Sequence, residues 1–110
     1  MNPMEDTVCV ESIRHIMQIF SMKWAFMVMA ELHPGPRRFN QINKSIGCST
    51  KSLSDTLKQL EENGIISRKV HPTTPVTVEY SLTQKGRDFE KVFTEMRSWG
   101  EKWLWNENNR

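Results

Sequence analysis

The fold is decided by residues 39–64, which read FNQINKSIGCSTKSLSDTLKQLEENG. Apolar residues recur at helical spacing in two parts of this stretch. They are Phe39, Ile42 and Ile46 in the first part and Leu53, Leu57 and Leu60 in the second. Gly47 is expected to end the first helix and to permit a tight turn, and Ser49 has the side chain of an N-cap for the second. Two helices joined by a short turn that contains glycine form a helix-turn-helix.

Two more helices are predicted on the N-terminal side of this motif. Apolar residues between Cys9 and Phe20 recur at helical spacing, which indicates a helix over residues 8–20. Ser21 is expected to cap a second helix. One face of that helix carries Trp24, Met27, Val28 and Leu32. Residues 33–36, HPGP, end it because neither proline can continue the backbone hydrogen bonding.

The sequence pattern changes from helical to β-favouring after Gly64. Residues 65–71 and 76–82 are short runs that favour strands. The second run alternates through Val76, Val78, Tyr80 and Leu82. Between the two runs, residues 72–75, PTTP, form a tip that cannot be regular strand. Two strands joined by such a tip, directly after a helix-turn-helix, predict a wing.

The C-terminal part of the chain predicts one long helix with an apolar stripe. Thr83 is expected to cap this helix, which covers residues 84–105. The stripe carries Phe89, Val92, Phe93, Met96, Trp99 and Trp103. Two interpretations of the stripe are open, since it either packs within one chain or forms a homodimer interface. Trp105 adds more aromatic surface than one helix face buries, which favours the homodimer.

These elements together predict a mainly α fold with a small β-hairpin wing, in the α+β class. We expect one winged helix-turn-helix domain over residues 1–110. The extra helix over residues 84–105 is expected to serve dimerisation. The dimerisation residues in this prediction are Phe89, Phe93, Met96, Trp99 and Trp103.

Composition is typical of an ordinary globular protein and argues against several other classes. Hydrophobic residues make up 37% of the chain and charged residues 25%. No apolar run approaches the ~20 residues that span a bilayer, and the N-terminus lacks the pattern of a signal peptide. Cys9 and Cys48 match no zinc-ligand spacing and form no disulfide framework. We therefore expect a cytoplasmic, nucleoid-associated protein with reduced thiols and no membrane partner.

The sequence carries no pattern typical of an enzyme. It has no glycine-rich phosphate loop and no Cys-x-x-Cys or His-x-x-x-His pair. The histidines, His15, His33 and His71, are scattered along the chain. We therefore expect no catalytic residues, no cofactor and no metal site.

Positive charge is concentrated in the middle of the chain, although the net charge is only +2. Residues 37–71 contain seven Lys or Arg and three acidic residues. Residues 1–36 contain two basic and four acidic residues, and residues 72–110 contain six of each. This distribution places a positive field on the predicted helix-turn-helix and wing, which favours double-stranded DNA as the partner.

The helix that Ser49 caps has an exposed face that suits a DNA groove. Lys51, Ser54, Asp55 and Lys58 lie on this face, and Thr50 lies at the helix N-terminus. A major groove admits one helix, whose polar side chains then meet base edges, and a helix N-terminus also attracts a phosphate. The alternative is an ordinary solvated face, since any surface helix carries lysines.

Further cations flank this pair of helices. Arg68, Lys69 and His71 lie on the predicted wing, and Arg37 and Arg38 precede the first helix of the pair. We expect these five side chains mainly to hold phosphates, because each cation placed on a phosphate releases a counterion. For Arg37 and Arg38 another interpretation is open: they flank a short edge strand or pair with a carboxylate.

A set of residues in a defined order extends from Cys9 to Gly100. Its members are Cys9, Lys23-Trp24, Glu31-Leu32, Gly35, Arg38-Phe39-Asn40, Ser49, Leu53, Leu57, Leu60, Asn63-Gly64, Arg68, Pro75, residues 78–83 (VEYSLT), Gly86 and Trp99-Gly100. The set resembles the HxlR-type family of prokaryotic transcription regulators, which are relatives of the MarR group. The resemblance implies a winged helix dimer that is held by its N- and C-terminal helices, so the extra helices over residues 8–20 and 84–105 are both expected to serve dimerisation. It also implies recognition helices in successive major grooves of a pseudo-palindromic operator.

The resemblance also implies candidate roles for the cysteines. Several members of the family sense electrophiles or oxidants through a cysteine near the N-terminus, which is where Cys9 lies. A thiol reacts as its thiolate, which a helix N-terminus favours and acidic neighbours oppose. The other interpretation of Cys9 is a small apolar residue in the dimer interface. Cys48 is expected to belong to the core, and a disulfide between Cys9 and Cys48 of two subunits needs Cα atoms within ~7 Å.

Two functions from different classes follow from the sequence. The first is a sequence-specific DNA-binding transcription regulator, either repressor or activator, that acts as a homodimer with a small electrophile or oxidant as candidate effector. In it, bases are chosen by Lys51, Ser54, Asp55 and Lys58. The alternative is a winged helix that binds another protein and no DNA, which does not need cations on the wing and on the recognition face.

Overall fold

The computed structural model of the protein describes residues 6–105. Their elements in chain order are α1 (Thr7–Ile19), α2 (Ala25–Leu32), β1 (Arg37–Arg38), α3 (Phe39–Ile46), α4 (Thr50–Glu62), β2 (Ile66–His71), β3 (Thr77–Leu82), α5 (Gln84–Arg87), α6 (Glu90–Gly100) and a π-helical turn (Glu101–Trp105). The strands form an antiparallel sheet in the order β1-β3-β2. This mainly helical fold with a small sheet confirms the predicted winged helix class.

The core lies around α2, which packs against α3, α4 and β3. The buried residues of α2 are Ala25, Val28, Met29 and Leu32. The other buried apolar residues are Ile42, Leu53, Leu57, Leu60, Ile65, Ile66 and Leu82. Burial of one large apolar side chain stabilises a fold by about 1.5–3 kcal/mol. This shared core therefore holds both helices of the helix-turn-helix against the rest of the chain.

The turn between α3 and α4 forms as predicted. α3 ends at Gly47, whose φ of 77° lies in the left-handed region that favours glycine. Ser49 caps α4, since its Oγ accepts a hydrogen bond from the backbone N–H of Ser52 at 3.1 Å. Thr56 is a core residue that the apolar pattern missed. Its hydroxyl donates to the Ser52 carbonyl at 2.7 Å, which offsets the cost of burying it.

The start of α2 differs from the prediction. Ser21 is not its N-cap, because α2 begins at Ala25 with Trp24 in the N-cap position. Met27 does not share the buried face and is 50% exposed. The Ser21 hydroxyl instead accepts a hydrogen bond from Nε2 of Gln59 at 2.9 Å. A contact between distant parts of the chain thus replaces the expected local cap.

The wing is the hairpin of β2 and β3, and both strands lie within one residue of the predicted runs. β1 adds a short edge strand on the other side of β3. Arg37 and Arg68 both lie opposite Tyr80, whereas Arg38 and Lys69 both lie opposite Glu79. Arg37 and Arg38 therefore form the edge strand itself, whereas one interpretation expected them to flank such a strand.

The single helix predicted over residues 84–105 is wrong in one respect, because it is interrupted. A turn at residues 88–89 separates α5 from α6. This turn places the ring of Phe89 4.9 Å from the ring of Phe20 and 5.8 Å from that of Phe26, centroid to centroid. Aromatic packing with an early part of the chain therefore outweighs the continuous helical pattern.

α5 packs against the residues that follow α4 and forms a hydrogen bond to them. Thr83 caps α5 as predicted, since its Oγ1 accepts from the Gly86 N–H at 3.2 Å. The Gly86 backbone lies so close to Ile65 that a Cβ on Gly86 would be 2.3 Å from the Ile65 carbonyl oxygen. Lys85 donates from Nζ to the Asn63 carbonyl at 2.8 Å, which satisfies an acceptor at the end of α4.

The terminal helices project from this core. α1 and α6 contain no buried residue. The Cα radius of gyration is 16.3 Å, whereas a compact chain of this length has about 13 Å. Among residues 6–105, no helix combines the length and the apolar character that crossing a membrane requires.

Candidate nucleic-acid interface

The exposed face of α4 carries the side chains that the sequence pattern assigned to it. These exposed residues are Thr50, Lys51, Ser54, Asp55 and Lys58. The opposite face buries Leu53, Thr56, Leu57 and Leu60. Because one face is anchored in the core, the polar face is held in a fixed direction, away from the protein. An α-helix held in this way has the shape that enters a major groove.

Two of these side chains form an ion pair. Nζ of Lys51 lies 2.9 Å from Oδ2 of Asp55, one helical turn away. The hydrogen bond and charge of Asp55 raise the pKa of Lys51, so Lys51 is cationic at neutral pH. The Lys51 side chain is 85% exposed, so solvent screens the pair and it contributes little to stability. The pair is therefore free to open toward a ligand.

The three-stranded sheet carries a row of charges on one face. Arg38 and Lys69 lie opposite Glu79 on its two sides, which places a carboxylate between two cations at cross-strand distance. The His71 imidazole contacts the same carboxylate. Arg68 points to the other face, because neighbouring strand residues alternate. Glu79 therefore offsets part of the positive charge of the wing.

The five cations that were expected to hold phosphates do not share one environment. Arg38, Arg68 and Lys69 are exposed, whereas Arg37 and His71 are half-buried. The Nε atom of Arg37 is buried without a hydrogen-bond partner among residues 6–105. The geometry therefore favours Arg38, Arg68 and Lys69 for contact with a phosphate backbone.

Sequence reasoning missed two polar residues near this surface. Lys44 is exposed in the last turn of α3, beside the turn that leads into α4. It had been counted among the cations of residues 37–71, and that count was the signal that could have found it. Gln59 links α4 to residues near the end of α1. No local sequence pattern predicts the role of Gln59, because its partners lie 38 and 41 residues away in sequence.

The residues expected to form a dimer interface divide into two groups. Phe89 and Phe93 are half-buried within the chain, with their rings packed against each other and against Phe26. Met96, Trp99 and Trp103 are exposed by 48%, 59% and 48%. The two phenylalanines therefore have ring contacts within the chain, and their part in a dimer interface stays a prediction. Similar apolar exposure occurs on α1, at Val8, Ile13 and Met17.

Both cysteines are free and half-buried. Cys9 lies in the first turn of α1, where its backbone N–H donates to the carboxylate of the Asp6 N-cap at 3.4 Å. Cys48 packs against the core directly before the Ser49 cap of α4. A change at Cys48 therefore acts on the start of α4, and a change at Cys9 acts on the start of α1.

The sequence matches the family described as HxlR-like helix-turn-helix over residues 19–108. The HTH-type transcriptional regulator sll1512 of Synechocystis sp. is 41% identical over 108 residues, which cover 97% of this chain and 80% of sll1512. The HTH-type transcriptional regulator YodB of Bacillus subtilis is 37% identical over 99 residues, which cover 89% of this chain and 88% of YodB.

Solved structures of such proteins share the fold. The reduced form of YodB from B. subtilis superposes with a TM-score of 0.77 at 36% identity, covering 84% of this chain and 92% of that one. The quinone-bound form of YodB gives 0.74 at 32% identity, with 84% and 99% covered. The redox regulator HypR in its oxidised form gives 0.75 at 30% identity, with 83% and 95% covered. The chain therefore belongs to the HxlR family of helix-turn-helix transcriptional regulators.

Proposed function

We propose that the protein binds a pseudo-palindromic DNA duplex as a homodimer and places α4 of each protomer in a major groove. The observation that carries this proposal is the two-sided character of α4. Its leucines are buried in the core, and its lysines project into solvent from the other side. Two-fold protein symmetry matches two-fold operator symmetry, with recognition helices about 34 Å apart.

The side chains of α4 and of the wing have different tasks in this proposal. Lys51, Ser54, Asp55 and Lys58 meet base edges, because they lie on the exposed face of the helix that enters the groove. Thr50 and the N-terminal backbone of α4 meet a phosphate. Phosphates are held by Arg38 of β1 and by Arg68 and Lys69 of the wing, and Arg37 and His71 support the strands beside them. Phosphate contacts position the protein, whereas base contacts give specificity.

The dimer forms through the terminal helices in this proposal. Exposed apolar side chains on α1 and α6 give each protomer two apolar surfaces that its own core does not cover. Scattered single apolar residues are normal on a surface, but contiguous apolar patches mark interaction sites. Residues 1–110 then form one domain whose first and last helices serve association.

The family favours DNA binding over a winged helix that binds only protein. The relatives named above are HTH-type transcriptional regulators. The exposed cations of α4 and the wing supply what DNA binding needs and what the protein-binding alternative does not require. A regulator of this kind needs no catalytic residue.

Cys9 is the proposed target of a thiol-reactive signal. Neighbours of the same fold include the quinone-bound YodB and the oxidised HypR. Cys9 of this chain is half-buried in the first turn of α1, beside the carboxylate of the Asp6 N-cap. Modification of Cys9 alters α1, and through α1 the association of the two protomers.

Duplex binding as a function of salt tests the proposed function. We expect Lys51→Ala and Lys58→Ala each to cost about 1–3 kcal/mol for the preferred sequence and to relax specificity at one position. Arg68→Ala and Lys69→Ala are expected to weaken binding to all sequences equally and to reduce the log–log salt slope by about 1. Wing variants that alter sequence preference, together with helix variants that do not, would contradict this division of tasks.

A further inference from the structure

Gln59 connects the recognition helix α4 to the end of α1. Its Nε2 donates to the backbone carbonyl of Gln18 at 3.4 Å and to Oγ of Ser21 at 2.9 Å. Gln18 lies in the last turn of α1, and Ser21 follows the end of that helix at Ile19. The two bonds therefore join α4 to the point where α1 leaves the core.

The backbone carbonyl of Gln18 fixes the orientation of the Gln59 side-chain amide. A backbone carbonyl only accepts hydrogen bonds, so the amide nitrogen of Gln59 has to face Gln18. Both amide hydrogens are then used, one for Gln18 and one for Ser21. The Gln59 Oε1 atom is buried without a hydrogen-bond partner among residues 6–105. Burying Oε1 without a partner costs free energy, and an apolar side chain at this position would avoid that cost. What Gln59 contributes is therefore its pair of directed hydrogen bonds and not the burial of its side chain.

Gln59 also supplies a hydrogen bond to a backbone carbonyl at the end of α1 that has no partner within the helix. The last four carbonyls of an α-helix have no partner within it, and the Gln18 carbonyl is one of them. Since α1 contains no buried residue, the contacts at its C-terminal end contribute strongly to its direction. Ile19 and Phe20 pack against the core there, and Gln59 supplies the hydrogen bonds.

The direction of α1 has a large effect at its far end. An α1 of 13 residues is about 20 Å long at 1.5 Å per residue. A tilt of about 10° at the C-terminal end therefore moves the N-terminal end by about 3 Å, which is close to the rise of about 3.4 Å per base pair. In the dimer, a shift of about 3 Å of α1 relative to α4 changes the distance between the two recognition helices. It therefore changes the half-site spacing that the two helices fit.

We propose that Gln59 is a positioning residue that sets the half-site spacing accepted by the dimer. It acts through α1 and does not contact DNA. The inference rests on the proposed function, namely on a dimer that α1 helps to form and on two recognition helices that bind one duplex.

Selection of bound sequences from a random duplex pool tests this role. The proteins compared are the wild type, Gln59→Leu, Ser21→Ala, and Glu62→Ala as a control at an exposed position of the same helix end. Gln59→Leu is expected to select the same half-site sequence with a broadened or shifted spacing. We expect its preference for the wild-type spacing over a spacing one base pair longer or shorter to fall about fivefold to tenfold, the ratio that corresponds to about one hydrogen bond.

The remaining variants separate positioning from simple stabilisation. Ser21→Ala keeps the hydrogen bond from Gln59 to Gln18, so we expect it to shift the half-site spacing less than Gln59→Leu does. Ser21→Thr keeps the hydroxyl, so we expect it to retain the wild-type spacing. Binding to a duplex with a single half-site stays unchanged in every variant. An unchanged spacing distribution in both Gln59→Leu and Ser21→Ala overturns the inference, as does an equal loss for half-site and full-site duplexes. A wild-type protein that binds no duplex overturns the proposed function and this inference with it.

Discussion

The ammonium of Lys51 lies 2.9 Å from the carboxylate of Asp55, so two of the side chains that face the proposed groove form an ion pair in the unbound protein. In the proposed complex, binding to DNA exchanges this ion pair for contacts with bases. A carboxylate on such a face accepts from cytosine N4 and repels phosphates, so it adds discrimination and lowers overall affinity.

Asp55→Asn should therefore bind non-specific duplex more tightly than the wild type and distinguish sequences less well. The change removes a negative charge from the DNA-facing surface and releases Lys51 for phosphate contact. Titration of a specific and a scrambled duplex at two salt concentrations measures both effects. Glu62→Gln, with the same charge change at the C-terminal end of α4, is the control and is expected to leave the discrimination ratio unchanged. Weaker binding of Asp55→Asn to both duplexes would contradict the prediction.

Ser49→Ala should destabilise the domain by about 1 kcal/mol, because the Ser52 N–H loses the Oγ that accepts from it. Urea unfolding followed by circular dichroism measures the change. Ser54→Ala, on the exposed face of the same helix, is the matched control and should stay within about 0.5 kcal/mol of the wild type. Equal stability of Ser49→Ala and Ser54→Ala would show that the cap does not hold α4.

Gly86→Ala should destabilise the fold by about 1–3 kcal/mol or more. Its Cβ would lie 2.3 Å from the carbonyl oxygen of Ile65, which is backbone and cannot rotate away. Gly100→Ala meets no atom within 4 Å in the described part of the chain and serves as the control. Thermal unfolding of both variants measures the difference. A Gly86→Ala variant as stable as the wild type would mean that α5 is not held against Ile65 in solution.

Met96→Asp should dissociate the proposed dimer. Met96 is 48% exposed on α6, and a carboxylate at an apolar interface loses its hydration without gaining a partner. Thr94→Asp introduces the same charge on a different face of the helix and should leave association unchanged. Sedimentation equilibrium gives the association constant of each variant. A Met96→Asp variant that associates like the wild type would place the interface elsewhere.

Cys9→Ser should abolish the response of duplex binding to a quinone or to diamide. The proposed reactive thiol lies at the start of α1, whereas Cys48 packs against the core. Cys48→Ser should therefore keep the response. Binding of each variant to a selected duplex, measured before and after treatment, gives the comparison, and intact mass identifies the modified thiol. A response that survives in Cys9→Ser and disappears in Cys48→Ser would reverse the assignment.

Local sequence patterns predicted the elements that local interactions define. Gly47 and Ser49 mark the turn and the cap, and they occupy those positions in the structure. The wing strands also lie where alternation and the two prolines placed them. In these segments the signal comes from a few neighbouring residues, so it can be read without knowledge of the rest of the fold.

The remaining features depend on contacts between distant residues. Ser21 has the side chain of an N-cap, yet its hydroxyl bonds to Gln59, which lies 38 residues away. The helical period continues through Phe89, yet Phe89 turns to pack against Phe20. The charges on α4 were located correctly on its exposed face, but the pairing of His71 with Glu79 requires the strand register, which no single strand reveals.

Methylation protection of guanine N7 on a selected duplex tests the central claim most directly, because N7 lies in the major groove and adenine N3 in the minor groove. With α4 of each protomer in a major groove, N7 protection should appear in two patches about 10 base pairs apart. Lys58→Ala should lose protection at one guanine in each patch. Protection confined to adenine N3, or no protected guanine in a duplex that the protein binds, would contradict the placement of α4.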